Sequence, residues 1–162
     1  MNNGAEDMLR KLAFEKVLLY LKFMRKKVTK IDKAKLNIIV SERVPYMPDE
    51  WIKIGIIFIG SWVRIFTILY EDFDVSMFGE DAVEILRGML RLQDDHMEFT
   101  FSLSKNNTLV VKEDIHAKAL TYDVFREEYD AILEAYKKFQ KNIVPLIKRA
   151  KKVNAEKFVE VW

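Results

Sequence analysis

Few residues of this chain could do chemistry, and their spacing does not assemble them into a catalytic pattern. The two histidines are His96 and His116. His96 follows Asp94 and Asp95, so a metal site can be sketched there. A charged loop at a helix-to-strand junction accounts for the same residues. His116 stands near Glu113 and Asp114 and could polarise a nucleophile, yet no motif places a Ser or Thr for it. Cysteine is absent, which removes a thiol nucleophile, a Cys-based zinc site and a disulfide framework. The sequence has no G-x-S-x-G, no P-loop and no G-x-G-x-x-G. With five glycines in all, a phosphate-cradling loop has no material. The expectation is a chain that is not an enzyme, with no catalytic residue, no metal and no cofactor.

Recognition chemistry is better represented. Trp51 to Tyr70 is a run of twenty mostly apolar residues interrupted by Lys53 and Arg64. A membrane span needs ~20 uninterrupted apolar residues, and an Arg at its centre costs ~3 kcal/mol, so the run reads as two strands. Gly60-Ser61 suits the two-residue type II′ turn that joins them. That turn sets Ile59 opposite Trp62, Ile57 opposite Arg64, Gly55 opposite Phe66, Lys53 opposite Ile68 and Trp51 opposite Tyr70, all on one face. The other face carries Ile52, Ile54, Ile56, Phe58, Val63, Ile65, Thr67 and Leu69 and is assigned to the core. The mixed face costs ~1.5–3 kcal/mol per large apolar side chain left in water, so something should cover it. The chain's own tail, a second copy or a protein partner would each serve. Phe66 opposite Gly55 also reads as an aromatic filling the gap above a glycine. The candidate partner-binding residues are therefore Trp51, Ile57, Trp62, Arg64, Phe66, Ile68 and Tyr70.

The elements that position this hairpin follow from periodicity. Leu9, Ala13, Val17, Tyr20, Met24, Val28 and Ile31 recur every three or four residues, widened by Phe14, Leu18 and Leu21, and predict a helix over 5–30. A strand follows within 36–44, and Pro45 and Pro48 then enforce a loop. Val83, Leu86, Met89 and Leu90 predict the buried stripe of a shorter helix over 79–92, with Gly88 lying off it near Ile85. Close approach of another backbone explains that glycine, and so does simple tolerance. Alternation over 97–104 puts Met97, Phe99, Phe101 and Leu103 inward. A turn at Lys105-Asn106-Asn107 then sets Leu109 opposite Leu103 and Val111 opposite Phe101. Thr121 caps a final helix, running to about 150, that Pro145 must kink or end. Residues 1–150 read as one domain, and 151–162 as a basic, then apolar, tail that packs on it or frays.

Composition agrees. The 162 residues are 50% hydrophobic and 32% charged, enough for one sizeable core and too apolar for global disorder. The net charge of +2 hides a segregation. Residues 1–70 hold 13 Lys/Arg against 7 Asp/Glu, 71–130 hold 6 against 15, and 131–162 hold 8 against 3. Such a dipolar surface can steer a partner, or it can be two solvated helix faces and some acidic loops. The run from Lys22 to Lys35 and the cations of 148–152 open a nucleic-acid alternative, with aromatics to stack bases. A pI near 8.6 and the acidic middle oppose it. Residues 1–12 lack the apolar run of a signal peptide, so the expected location is cytoplasmic.

The predicted order is α-β-β-β-α-β-β-α, an α+β fold with an antiparallel sheet of about five strands and long first and last helices. It resembles the type III secretion chaperone-like fold, including its YbjN-like domains. The match is clearest from Ala82 to about Lys148. There a helix ends in Ile85-Leu86-Arg87-Gly88-Met89-Leu90-Arg91-Leu92-Gln93, and Glu98 to Leu103, a polar turn, Leu109 to Lys112 and a long helix follow. Gln93 stands where such domains often have Asn. The resemblance implies a curved sheet with helices on one face, partner peptides on exposed apolar patches and no enzymatic activity. It also implies a homodimer around the middle helix, which points to Ile85, Gly88 and Met89 as dimer-interface residues. Non-catalytic protein or peptide binding is the function expected.

Overall fold

A computed structural model describes residues 3–47, 49–95 and 99–159. The first helix, α1 (Asn3–Phe23), is followed by four strands: β1 (Lys27–Asp32), β2 (Asn37–Arg43), β3 (Trp51–Ile59) and β4 (Trp62–Tyr70). A 3-10 segment (Val75–Asp81) leads into α2 (Ala82–Asp95), and β5 (Thr100–Leu103) and β6 (Leu109–His116) form the second hairpin. A short 3-10 turn then precedes α3 (Tyr122–Asn142) and α4 (Val144–Val159). The strands make one antiparallel sheet in the order β1-β2-β3-β4-β6-β5.

The fold class is the expected one, with six strands in place of about five. The difference lies at 24–32, which periodicity alone assigns to the first helix. Arg25 adopts φ +54°, and its N–H bonds Lys22 O at 3.0 Å while Lys26 N bonds Leu21 O at 2.9 Å. This pair of bonds is a Schellman motif, a helix stop usually marked by glycine. Arg occupies the left-handed position here, so the stop is hidden, and Val28 and Ile31 extend the helical spacing by coincidence.

The 51–70 hairpin pairs as its turn dictates, with Ile59 opposite Trp62, Ile57 opposite Arg64 and Gly55 opposite Phe66. Gly60 has φ +56° and Ser61 keeps a negative φ, the signature of a type II′ turn. Ile52, Ile54, Ile56, Phe58, Val63, Ile65, Thr67 and Leu69 are all buried. The second hairpin also holds its register, Leu103 opposite Leu109 and Phe101 opposite Val111, with Asn107 at φ +57°. Phe99 is buried and Leu103 is exposed at the sheet edge. Met97, Glu98 and His96 lie outside the described residues. Gln93 caps the junction, its Oε1 accepting from Phe101 N at 3.2 Å.

The helices cover one face of the sheet. From α1 come Ala13, Phe14, Val17 and Leu21, and from α3 come Phe125, Tyr129, Ile132 and Phe139. Two tyrosine hydroxyls fasten α3 to the β2–β3 region: Tyr129 donates to Glu42 at 2.9 Å and Tyr136 donates to Glu50. Lys26 closes the first of these at 2.8 Å from Glu42. Thr121 Oγ1 accepts from Val124 N at the start of α3. At the other end Ile143 separates α3 from α4, because Pro145 has no N–H and its ring excludes the carbonyl four residues back. The expected last helix is thus two helices, and α4 continues across residue 151. Phe158 has no described side chain, and Trp162 lies outside the described residues.

Only part of the predicted α2 stripe is buried. Ile85 and Met89 face the core, whereas Val83, Leu86 and Leu90 are exposed. The helix is apolar on two sides, and the 3-10 segment with α3 and α4 claims the Ile85–Met89 side.

Candidate functional site

Among the described residues, no helix covers the sheet's other face. Its rows follow from the register: Lys30, Ile39, Gly55, Phe66, Lys112 and Thr100 line up across all six strands. Asn37, Ile57, Arg64 and Asp114 form the next row, then Ile59, Trp62 and His116. Trp51, Ile59, Trp62 and Ile68 are each about half exposed, and Ile57, Arg64 and Phe66 are partly covered.

Each side chain is held by its strand neighbours. Phe66 lies over Gly55 so closely that a Cβ there would stand 2.5 Å from the ring, the gap-filling anticipated for this pair. Arg64 is locked to Asp114 by two bonds, Nε to Oδ1 at 2.7 Å and Nη2 to Oδ2 at 2.8 Å, which raises the guanidinium's already high pKa. The Trp62 ring meets His116 edge-on at 5.0 Å, and His116 Nδ1 accepts from Lys118 N. Trp51 is bracketed by Arg43 and Lys27, 5.5 and 5.8 Å from its ring. A shallow hollow of about 210 Å³ lies among Ile59, Trp62, Arg64 and Asp114. These aromatics are pre-positioned, so a ligand would not have to order them. Large, rigid side chains around a paired Arg are the composition of a protein interface.

Tyr70 departs from the group. The register shifts between Ile68 and Tyr70, so strict alternation ends there. The Tyr70 ring packs on Phe73 at 5.9 Å, and Lys151 of α4 lies 5.1 Å above it, which ties it to the helical layer. Six of the seven candidate residues thus share the open face. The dimer candidates are placed differently. Ile85 and Met89 are buried, and a Cβ on Gly88 would meet Ile143 Cδ1 at 2.9 Å. Side chains of the α3–α4 junction, not a second backbone, fill the space above that glycine.

Sequence reasoning passed over an exposed stripe on α1 (Met8, Leu12, Leu19, Phe23), and on α2 it took Val83, Leu86 and Leu90 for core although they are exposed. The α1 signal was present as a second helical spacing on the reverse side of the core stripe. Among the described residues, no cluster of three or more His, Asp or Glu could hold a metal ion. No helix among them is long and apolar enough to cross a membrane.

No protein-family model matches the chain, and no curated protein resembles it in sequence. Solved structures do resemble it. The ExsC–ExsE complex contains a chain with TM-score 0.53 and 11% identity, covering 85% of this chain and 95% of that one. The HopA1–SchA chaperone–effector complex gives TM-score 0.52 and 13% identity, over 79% of this chain and 94% of that one. An uncharacterized protein from Methanothermobacter thermautotrophicus gives 0.52 and 12%, over 86% and 97%. The chain therefore has the type III secretion chaperone-like fold.

Proposed function

We propose that this protein is a non-catalytic, chaperone- or adaptor-like binding module for a protein or peptide partner, and that it acts as a homodimer. The observation that carries the reading is the open sheet face, where Trp51, Ile59, Trp62 and Ile68 stand half exposed with the described helices on the opposite side. An exposed apolar patch on a well-packed chain marks an interaction surface. The structural likeness adds support, since one chain of this fold was solved in a chaperone–effector complex.

The test is capture of a partner from native lysate by the wild-type chain and by Trp62→Ala and Phe66→Leu. Trp62 is half exposed and its truncation leaves the core intact. Leucine at 66 keeps cover over Gly55. The expected result is one protein recovered by the wild type and lost, or weakened at least tenfold, in both variants. Equal recovery by all three, or recovery of nucleic acid in place of protein, would overturn the reading.

A further inference from the structure

The register divides the open sheet face by charge. Towards the Gly60 turn one row holds Asp32, Arg64 and Asp114, with the last two bonded to each other. Away from that turn the following rows set Lys30 beside Ile39, Lys53 beside Ser41, and Arg43 beside Trp51. Lys27, Lys30, Arg43 and Lys53 are all exposed, and the strands place no Asp or Glu among them. Glu42, next to Arg43 in sequence, points to the helix side, where Tyr129 and Lys26 hold it. Large apolar side chains stand between the cations: Phe66, and the half-exposed Ile68 and Trp51. We propose that the partner segment seated on this half of the face is acidic, a stretch of polypeptide that mixes carboxylates with aliphatic or aromatic residues. This inference rests on the binding role proposed above and names the chemistry of the partner.

The same rows favour a polypeptide over a nucleic acid. Isoleucine and valine offer no ring on which a base can stack. The exposed aromatic of this half, Trp51, is already met by Arg43 and Lys27 at 5.5 and 5.8 Å. A polypeptide supplies carboxylates for the lysines and apolar groups for Ile68 and Phe66 in one segment. Exposed ion pairs add little affinity, about 0.2–1 kcal/mol each. Their role is selection: a Lys or Arg brought to the same place is repelled, so basic segments are refused.

Three probes test this on the full chain: a peptide of alternating Glu and Tyr, the same peptide with Lys in place of Glu, and polyuridylate. Each is titrated at one salt concentration while tryptophan fluorescence is followed. The acidic peptide should bind at least tenfold more tightly than either of the others. Lys30→Glu combined with Lys53→Glu should weaken it at least fivefold and strengthen the basic peptide. Lys33→Glu combined with Lys35→Glu, beyond the edge of the face, should change either peptide by less than twofold. All four lysines are exposed, so circular-dichroism melts should show the fold unchanged. No binding of the acidic peptide, equal binding of both peptides, or tighter binding of polyuridylate would each overturn the acidic segment. So would indifference to the Lys30–Lys53 reversal, or an equal loss from the Lys33–Lys35 reversal. None of these results touches partner capture, which stands or fails on Trp62→Ala. A partner captured through Trp62 by a chain with no preference for the acidic peptide would keep the binding role and remove only the charge assignment.

Discussion

Arg25 ends the first helix in a backbone conformation that costs any residue with a Cβ. Its φ of +54° is the position that glycine takes without strain; a left-handed L-residue costs ~1–2 kcal/mol and glycine's extra chain entropy offsets ~0.5–1 of it, so Arg25→Gly should stabilise the protein by about 0.5–1 kcal/mol, read as a higher urea midpoint at unchanged slope. Glu113 is a second residue at odds with its surroundings. It is half-buried on the helix side of the sheet, and burial, with Glu128 and Asp114 nearby, pushes its carboxyl up to about 7 from 4.5. Between pH 4.5 and 7 the folded state therefore holds a proton that the unfolded state has released, so stability falls as pH rises through that window. Glu113→Gln should remove the fall. Its gain should be about 1–2 kcal/mol at pH 8, discounted for the half of the group that faces water, and should vanish near pH 4.5. Melts of both proteins across this range check the sign. A larger gain at low pH would refute it.

Among the elements, legibility in the sequence followed the strength of local constraint. The 51–70 hairpin was readable to the residue because Gly60-Ser61 permits one turn geometry and one face is wholly aliphatic. Helix identity was readable in α1, α2 and α3, but orientation was not always so. In α2 the spacing Val83-Leu86-Leu90 competes with Ile85-Met89, and only the docking of α3 and α4 decides which set is buried. That decision depends on contacts far apart in sequence, which periodicity cannot see. The same holds for the site: six residues on the open face were predictable from alternation, whereas the register shift that removes Tyr70 carries no local signal. Gly88 tests the docked arrangement. Gly88→Leu must displace Ile143 and Leu146, which lie 2.9 and 3.6 Å from a Cβ there, and overpacking of this kind costs about 1–3 kcal/mol. Leu90→Lys, on the exposed side of the same helix, should change stability by less than about 0.5 kcal/mol. Urea unfolding of the two variants separates them; equal losses would mean that the helix is docked differently.

On the scale of the whole molecule, the centre of the open face around Trp62 is charge-balanced, although Lys30 and Lys53 are exposed elsewhere on that face. Arg64 is neutralised by Asp114, with Lys112 3.9 Å from the same carboxylate, and Trp51 already lies between Arg43 and Lys27. The exposed cations Lys33 and Lys35 gather at the β1–β2 turn, beyond the edge of that face. A partner held by Trp62, Ile59 and Phe66 would bind through apolar burial, which salt does not screen. A polyanion held at the basic end would displace counterions, and log affinity would fall linearly with log salt. Six phosphate contacts would cost about a thousandfold between 50 and 200 mM salt. The partner recovered in the capture experiment should accordingly lose less than about threefold in affinity from 50 to 500 mM NaCl, measured by titration at fixed pH. A steep slope would move the binding surface from the sheet face to the basic end, and with it the function from protein to nucleic-acid recognition. The two surfaces lie on different parts of the chain, so Trp62→Ala distinguishes them again: it should abolish salt-insensitive binding and leave any salt-sensitive binding untouched.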